Sequence, residues 1–242
     1  QVFFKWYGRM FRKVLMNFHN IFVQDQASVD LLKSIGVKSI LAGDTRYDRV
    51  MQNSEQAKQI DLVSSFCNGE KVFVVGSSWI EDEQILMPLI NSPKLKQKVI
   101  VAPHEVTENR IKEIEKRLIR TSIRFSNYTG NEPIDVLIID NIGLLMHLYQ
   151  YGSIAYVGGG FKTGLHNILE PASFGIPVIF GPHHSKFPEA KLFIDHGVGF
   201  QVETAKDLAN LYASLSTINM TDKVVTFMNR RRGATDMILS SL

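Results

Sequence analysis

The 242-residue chain is 45% hydrophobic and 21% charged, enough apolar content for a sizeable core in one large domain or two smaller ones. Its single cysteine, Cys67, excludes an intramolecular disulfide and a cysteine metal cluster and suits a reducing cytoplasm, and no apolar run reaches the roughly 18 residues that cross a bilayer. The net charge of +3 comes from the first fifty residues, where eight Lys/Arg meet four Asp, so the overall basic surplus of a nucleic-acid binder is missing. The chain opens on Gln1 with no signal-peptide pattern after it, which suits a piece of a longer protein.

Residues 3–18 read as an amphipathic helix. Phe4, Tyr7, Phe11, Val14, Leu15 and Phe18 form an apolar stripe opposite Lys5, Arg9, Arg12 and Lys13. Such a helix either lies on an anionic membrane surface or packs its aromatic stripe on its own domain. A strand over 20–23, a helix through about Ile35, a stop at Gly36 and a strand over 37–42 follow. The break Gly43-Asp44-Thr45-Arg46-Tyr47-Asp48 leads into a polar helix over 50–60 and marks a domain junction.

From Lys71 onward, strands and helices alternate, which predicts a parallel sheet flanked by helices, an α/β Rossmann-like fold. Strands are expected at 72–75, 98–102, 122–125, 136–139, 154–157, 178–180 and 199–202. Helices are expected at 81–90, 109–120, 144–151, 166–174, 204–215 and 221–240. Polar residues gather where strands end: Ser77 and Ser78, His104 and Glu105, Asn141 and Gly143, Gly159 and Gly160. In an open parallel sheet those ends share one edge, where ligands bind.

The most informative stretch is GGGFKTGLHNILEPASFGIPVIFGP, residues 158–182. Glycines at a strand-to-helix turn let backbone come close to a ligand, and a helix start offers free N–H groups to an anion. Asn167 and Glu170, three apart, project from one face toward the same pocket. Glu81 and Glu83 read as a solvated first helical turn. The doublet His183-His184 has no carboxylate or cysteine at ligand spacing, so no metal site is expected.

In order along the chain, FFKWYGRMFRK (3–13), FVQDQAS (22–28), AGDTRYDRV (42–50), GSSWIEDE (76–83), APHE (102–105), NIGLL (141–145) and the 158–182 stretch resemble the bacterial lipopolysaccharide Kdo (3-deoxy-D-manno-octulosonic acid) transferases, GT-B glycosyltransferases. The resemblance implies a two-domain enzyme with its active site between Rossmann-like halves. Residues 1–45 would close a truncated acceptor domain and 46–242 would form the nucleotide-sugar (donor) domain. It also implies transfer of Kdo from CMP-Kdo to the lipid A precursor lipid IVA, with inversion and without a metal or other cofactor. The enzyme would act at the cytoplasmic face of the bacterial inner membrane, touching the membrane surface through the 3–18 helix. The general base is expected outside this chain, which would be inactive alone.

By the same resemblance Asn167 would hold phosphate oxygens and Glu170 nucleotide hydroxyls or the cytosine side. Backbone of Ile142, Gly143 and Leu144 would meet base or ribose, Ser77 and Ser78 would donate to the ligand beside Gly159 and Gly160, and His104 would reach phosphate or the Kdo carboxylate. Many family members carry an arginine beside that histidine, where this chain has Pro103-His104-Glu105, so Arg46 or Lys186 is the alternative anion contact. Two other readings stand beside this one: a GT-B transferase or epimerase using a UDP-sugar, and a non-catalytic nucleotide- or lipid-surface-binding module.

Overall fold

A computed structural model of the chain describes residues 2–162 and 164–241. Contacts group it into two compact units, Gln1–Arg49 with Met228–Leu242, and Val50–Phe227. Both boundaries fall inside helices, Thr45–Glu55 and Thr221–Asn229.

In the smaller unit the expected 3–18 helix is broken at Gly8 into a 3-10 turn, Val2–Phe4, and a helix, Arg9–Leu15. A Cβ on Gly8 would strike the Val2 carbonyl oxygen. The Arg12 guanidinium folds back to donate to the carbonyls of Phe3 (2.8 Å) and Lys5 (3.0 Å). Most of the apolar stripe stays exposed: Tyr7, Phe11, Val14 and Phe18 are exposed, Phe4 and Leu15 are half-buried, and Trp6 beside them is 90% exposed. Strand β1 (Phe22–Val23) and strand β2 (Ile40–Leu41) pair in parallel, with Phe22 opposite Ile40. The expected 221–240 helix is split by Gly233 at φ +103°, leaving Ala234–Leu239 as a separate helix. The Asp48 carboxylate accepts from the Gly233 and Thr235 amides at 2.7 and 2.8 Å and so caps that helix.

The larger unit contains a sheet of seven parallel strands among the described residues: β3 (Val72–Ser78), β4 (Val99–Pro103), β5 (Ser122–Arg124), β6 (Val136–Ile138), β7 (Gly152–Val157), β8 (Val178–Phe180) and β9 (Gly199–Gln201). Their order is β5-β6-β4-β3-β7-β8-β9. The central strands are apolar at successive positions because helices cover both faces of the sheet. Val72 and Val74 join Val63, Phe66, Tyr149 and Ile176 in one core, while Phe73, between them, points the other way onto Tyr212. Two helices escaped the sequence reading. Asp61–Cys67 is only seven residues long and ends in Asn68 and Gly69 at positive φ, and Pro188–Asp195 opens on a proline.

The helix Ile80–Ile90 after β3 buries two carboxylates. Glu83 is 1% exposed, which corrects its reading as a solvated residue. It pairs with Arg110 at 2.5 Å and Arg117 at 3.3 Å and accepts from the Ser78 hydroxyl at 3.0 Å. Burial pushes the Glu83 carboxyl above the ordinary range, and the two guanidinium groups and the hydroxyl oppose that rise. Asp82 accepts from the Trp79 amide (2.9 Å), the Gly159 amide (2.9 Å) and the Tyr156 hydroxyl (2.8 Å).

Two outcomes follow for unfolding experiments. Asp82→Ala strands three donors and is expected to cost about 3 kcal/mol in denaturant titrations. A loss under about 1 kcal/mol would contradict that role. Arg110→Met leaves the burial of Glu83 opposed only by Arg117 and Ser78, so the folded-state carboxyl rises further above its unfolded value. Below about pH 4.3 both states hold the proton and the electrostatic penalty is absent. It grows as pH rises, to about 3 kcal/mol near pH 8. A loss of stability that is the same at all pH values would refute this account.

Candidate functional site

Strand order reverses between β3 and β7, so the connections leaving their C-terminal ends run to opposite sides, the place where doubly wound sheets open a crevice for ligands. Local sequence shapes both ends. The β3–β4 register shifts between Gly76 and Ser78, and the intervening Ser77 takes φ +52°, a left-handed conformation uncommon for a residue with a side chain. The bulge sends the Ser78 hydroxyl inward to Glu83. Ser78 is 1% exposed, so its side chain is not the ligand donor that was expected. Ser77 remains half-buried at the rim.

The three glycines after β7 are required by chain-on-chain packing. A Cβ on Gly158 would run into the backbone of Ser77 and Ser78, and one on Gly160 would lie 2.6 Å from the Gly181 nitrogen. Gly159, at φ +92°, turns the chain so that its carbonyl accepts from Lys162 and Gly164. The Gly158 amide donates to Gly76 and the Gly159 amide to Asp82. The close approach expected toward a ligand is therefore made toward neighbouring strands, and the Gly159 amide is already engaged.

The following helix is Leu169–Ser173; it starts three residues later than the expected 166–174, after the Asn167 turn, and stops one residue earlier, before Gly175 at φ +76°. Pro171 fits in its first turn, where an N–H has no intrahelical partner. Asn167 precedes the helix and caps it, its Oδ1 accepting from the Leu169 amide at 3.1 Å and its Nδ2 donating to Glu170 Oε1 at 3.0 Å. Asn167 is exposed and Glu170 half-buried, so the two meet at the rim. Below them lies the Tyr149 phenol, whose pKa is raised by burial and by the Glu170 charge. A Cβ on Gly76 would collide with that hydroxyl and press on Leu145.

His104 follows β4, its amide bonded to the Ser78 carbonyl at 3.0 Å. Its ring stacks on Trp79 (centroids 4.2 Å, interplanar angle 27°) and on His166 (4.6 Å, 25°). Trp79 Nε1 donates to His166 Nε2 at 3.0 Å, and the Lys162 ammonium stands 4.1 Å from the Trp79 ring centroid. Burial lowers the His166 pKa, the nearby His104 adds to this, and the Asp82 charge opposes it. Of this ring cluster only His104 was among the expected site residues; Trp79 and His166, with Lys162 and Asp82, were not. Trp79 and His166 lie in the quoted strings, but their pairing spans 87 positions and leaves no local signal.

The other expected positions are more peripheral. Ile142 (87% exposed) and Gly143 (φ +93°) project at the end of β6, while the Leu144 side chain packs into the core cluster. Lys186 is exposed in the connection after β8, whose His183 amide donates to the Gly160 carbonyl at 2.7 Å. Arg46 belongs to the smaller unit and is paired with Asp44 at 2.7 Å. Among the described residues no cluster of three His, Cys, Asp or Glu is suited to a metal ion. The sheet edge thus offers flat rings, imidazole and ammonium donors and the rim carboxylates of Glu170 and Glu81, a set that can stack on a planar group, donate to an anion and accept from hydroxyls.

No protein-family model matches the chain. It is 28% identical over 230 residues to the 3-deoxy-D-manno-octulosonic acid transferase of Rickettsia prowazekii, covering 90% of this chain and 49% of that protein. It is 30% identical to the transferase of the same name from Aquifex aeolicus, covering 90% and 60%. The C-terminal CMP-Kdo binding domain of WaaA from Acinetobacter baumannii superposes with a TM-score of 0.59 at 22% identity, over 75% of this chain and 97% of that domain. Anabaena HepE in complex with UDP-glucose gives a TM-score of 0.52 at 16% identity, over 97% and 67%. The chain spans about half the length of the curated relatives it matches. It has the Rossmann-like α/β fold of a GT-B glycosyltransferase half, and along nine-tenths of its length its sequence is similar to 3-deoxy-D-manno-octulosonic acid transferases.

Proposed function

We propose that the complete protein transfers Kdo from CMP-Kdo to lipid IVA in lipopolysaccharide synthesis, inverting the anomeric centre without a metal, and that this chain supplies the donor site. The acceptor hydroxyl oxygen attacks the anomeric carbon, its proton passes to a base outside this chain, and CMP leaves with the bonding electrons. The part left to residues 46–242 is to hold the donor and stabilise the charge that grows on the departing phosphate. Residues 1–45 close the acceptor half in this reading.

The observation that carries the proposal is the meeting of Asn167 and Glu170 at the rim of the switch-point crevice, in a chain related to Kdo transferases along nine-tenths of its length. Glu170 accepts from ribose hydroxyls or the cytosine amine, Asn167 and His104 face the phosphate or Kdo carboxylate, and the Ile142–Leu144 backbone borders the base. Gly159 and Gly160 shape the floor. Ser77 donates from the rim, and Lys186 adds charge. With Asn167 already capping a five-residue helix, the helix dipole adds little, and side chains carry most of the anion affinity.

Titration calorimetry tests the donor assignment. The chain is expected to bind CMP at sub-millimolar concentration and to prefer it to UDP and GDP. Glu170→Ala should weaken CMP about tenfold, and Glu81→Ala, which removes a nearby charge of the same sign, about twofold at most. A clear preference for UDP would move the protein to a UDP-sugar enzyme, the reading that the likeness to HepE supports. Equal effects of the two substitutions would remove Glu170 from the site.

The exposed aromatic stripe beside Lys5, Arg9, Arg12 and Lys13 supports docking on the anionic cytoplasmic face of the inner membrane. Among the described residues no helix is long and apolar enough to cross a membrane, so the contact would be interfacial. The chain should sediment with phosphatidylglycerol vesicles and not with phosphatidylcholine vesicles, and salt or the double change Trp6→Ala, Phe11→Ala should reduce the bound fraction several-fold. Equal sedimentation of the double variant would remove this helix from the contact.

A further inference from the structure

The ring cluster has a property that the family relationship does not assign. An indole N–H is only a donor, so the 3.0 Å bond from Trp79 requires a lone pair on His166 Nε2 and puts the imidazole proton on Nδ1. Protonating Nε2 would set two N–H groups head to head. His166 is half-buried, no described residue accepts from its Nδ1, and Nδ1 is not closed off from solvent. We propose that Trp79 is a positioning residue for the donor: it holds His166 in the Nδ1–H form, so that His166 meets the anionic part of a sugar nucleotide as a neutral hydrogen-bond donor. This rests on the nucleotide reading of the site given above.

The surroundings act in the same direction. His104 stacks on both rings from the end of β4, and a charge on either imidazole repels one on the other. From the glycine turn Lys162 sits against the indole and adds positive potential, with Glu81 at 4.0 Å from its ammonium. Asp82 alone favours a charged His166, and its carboxylate is already shared among three donors. Partial burial of the imidazole lowers its pKa further. A neutral donor suits a phosphodiester, whose single charge does not change near neutral pH, because affinity then stays constant where a free histidine would titrate.

The test uses the 242-residue chain, Trp79→Phe, and cytidine 5′-methylphosphate, a phosphodiester of fixed charge. Imidazole nitrogen NMR from about pH 5.5 to 8 follows His166 and His104 separately. Wild-type His166 is expected to remain neutral with its proton on Nδ1, and the affinity for the probe to be flat. In Trp79→Phe, His166 should titrate nearer the ordinary value of about 6.5. Affinity near pH 8 should fall about fivefold and recover on acidification. An Nε2–H tautomer in the wild type overturns the proposal even if the variant fails to fold. Normal binding by Trp79→Phe with an unchanged pH dependence also overturns it. Absence of probe binding by wild type at millimolar concentration, with the expected spectra, rejects the nucleotide reading instead.

Discussion

A single buried carboxylate holds the working edge of this sheet together. Asp82 accepts from the turn after β3, from the turn after β7 and from a tyrosine within β7, so one group joins the two strands that flank the switch point. A carboxylate in that position is tolerable only with its lone pairs filled, and the three donors are tolerable there only with an acceptor. The bond network is therefore stringent in both directions. It fixes where Trp79 begins its helix and where Gly159 turns, and the ring cluster and the Asn167–Glu170 rim are built on those two points.

Neighbouring Glu83 does the same for the outer layer, drawing Arg110 and Arg117 from the helix after β4 onto the helix after β3. The two acids are adjacent in sequence but face different partners because consecutive helical positions point about 100° apart. The bulge at Ser77 is the geometric counterpart. By adding a residue at the end of β3 it turns Ser78 toward Glu83 and leaves Ser77 backbone against Gly158. Strand ends, acids and glycines form one interlocked unit, with the ring cluster and the Asn167–Glu170 pair at its rim.

Much of this was legible in the sequence. The buried strands announced themselves as apolar runs, Val178–Phe180 to the residue, and the convergence of strand ends followed from the alternation of elements. Asn167 and Glu170 were paired by spacing, although the helix that motivated the spacing starts after Asn167. What escaped has physical causes. A glutamate in a first helical turn looks solvated unless one knows that two arginines from another helix arrive beside it. The glycines advertised close backbone approach but not to what. Trp79 and His166 interact across four intervening strands of sequence, and no period or spacing encodes such a pair.

The packing around the glycines also sets where this edge can change. Gly76, Gly158 and Gly160 are each closed in by a phenol or by backbone, so any side chain there would displace a strand end. Of the positions between and after them, Ser77 is held at φ +52° and Trp79 and His166 are half-buried and bonded to each other, while Lys162 is exposed. Substitution is thus closed at the glycines, constrained at Ser77, Trp79 and His166, and freest at Lys162. An evolving or engineered descendant could exchange the exposed side chains of the rim while leaving its architecture untouched.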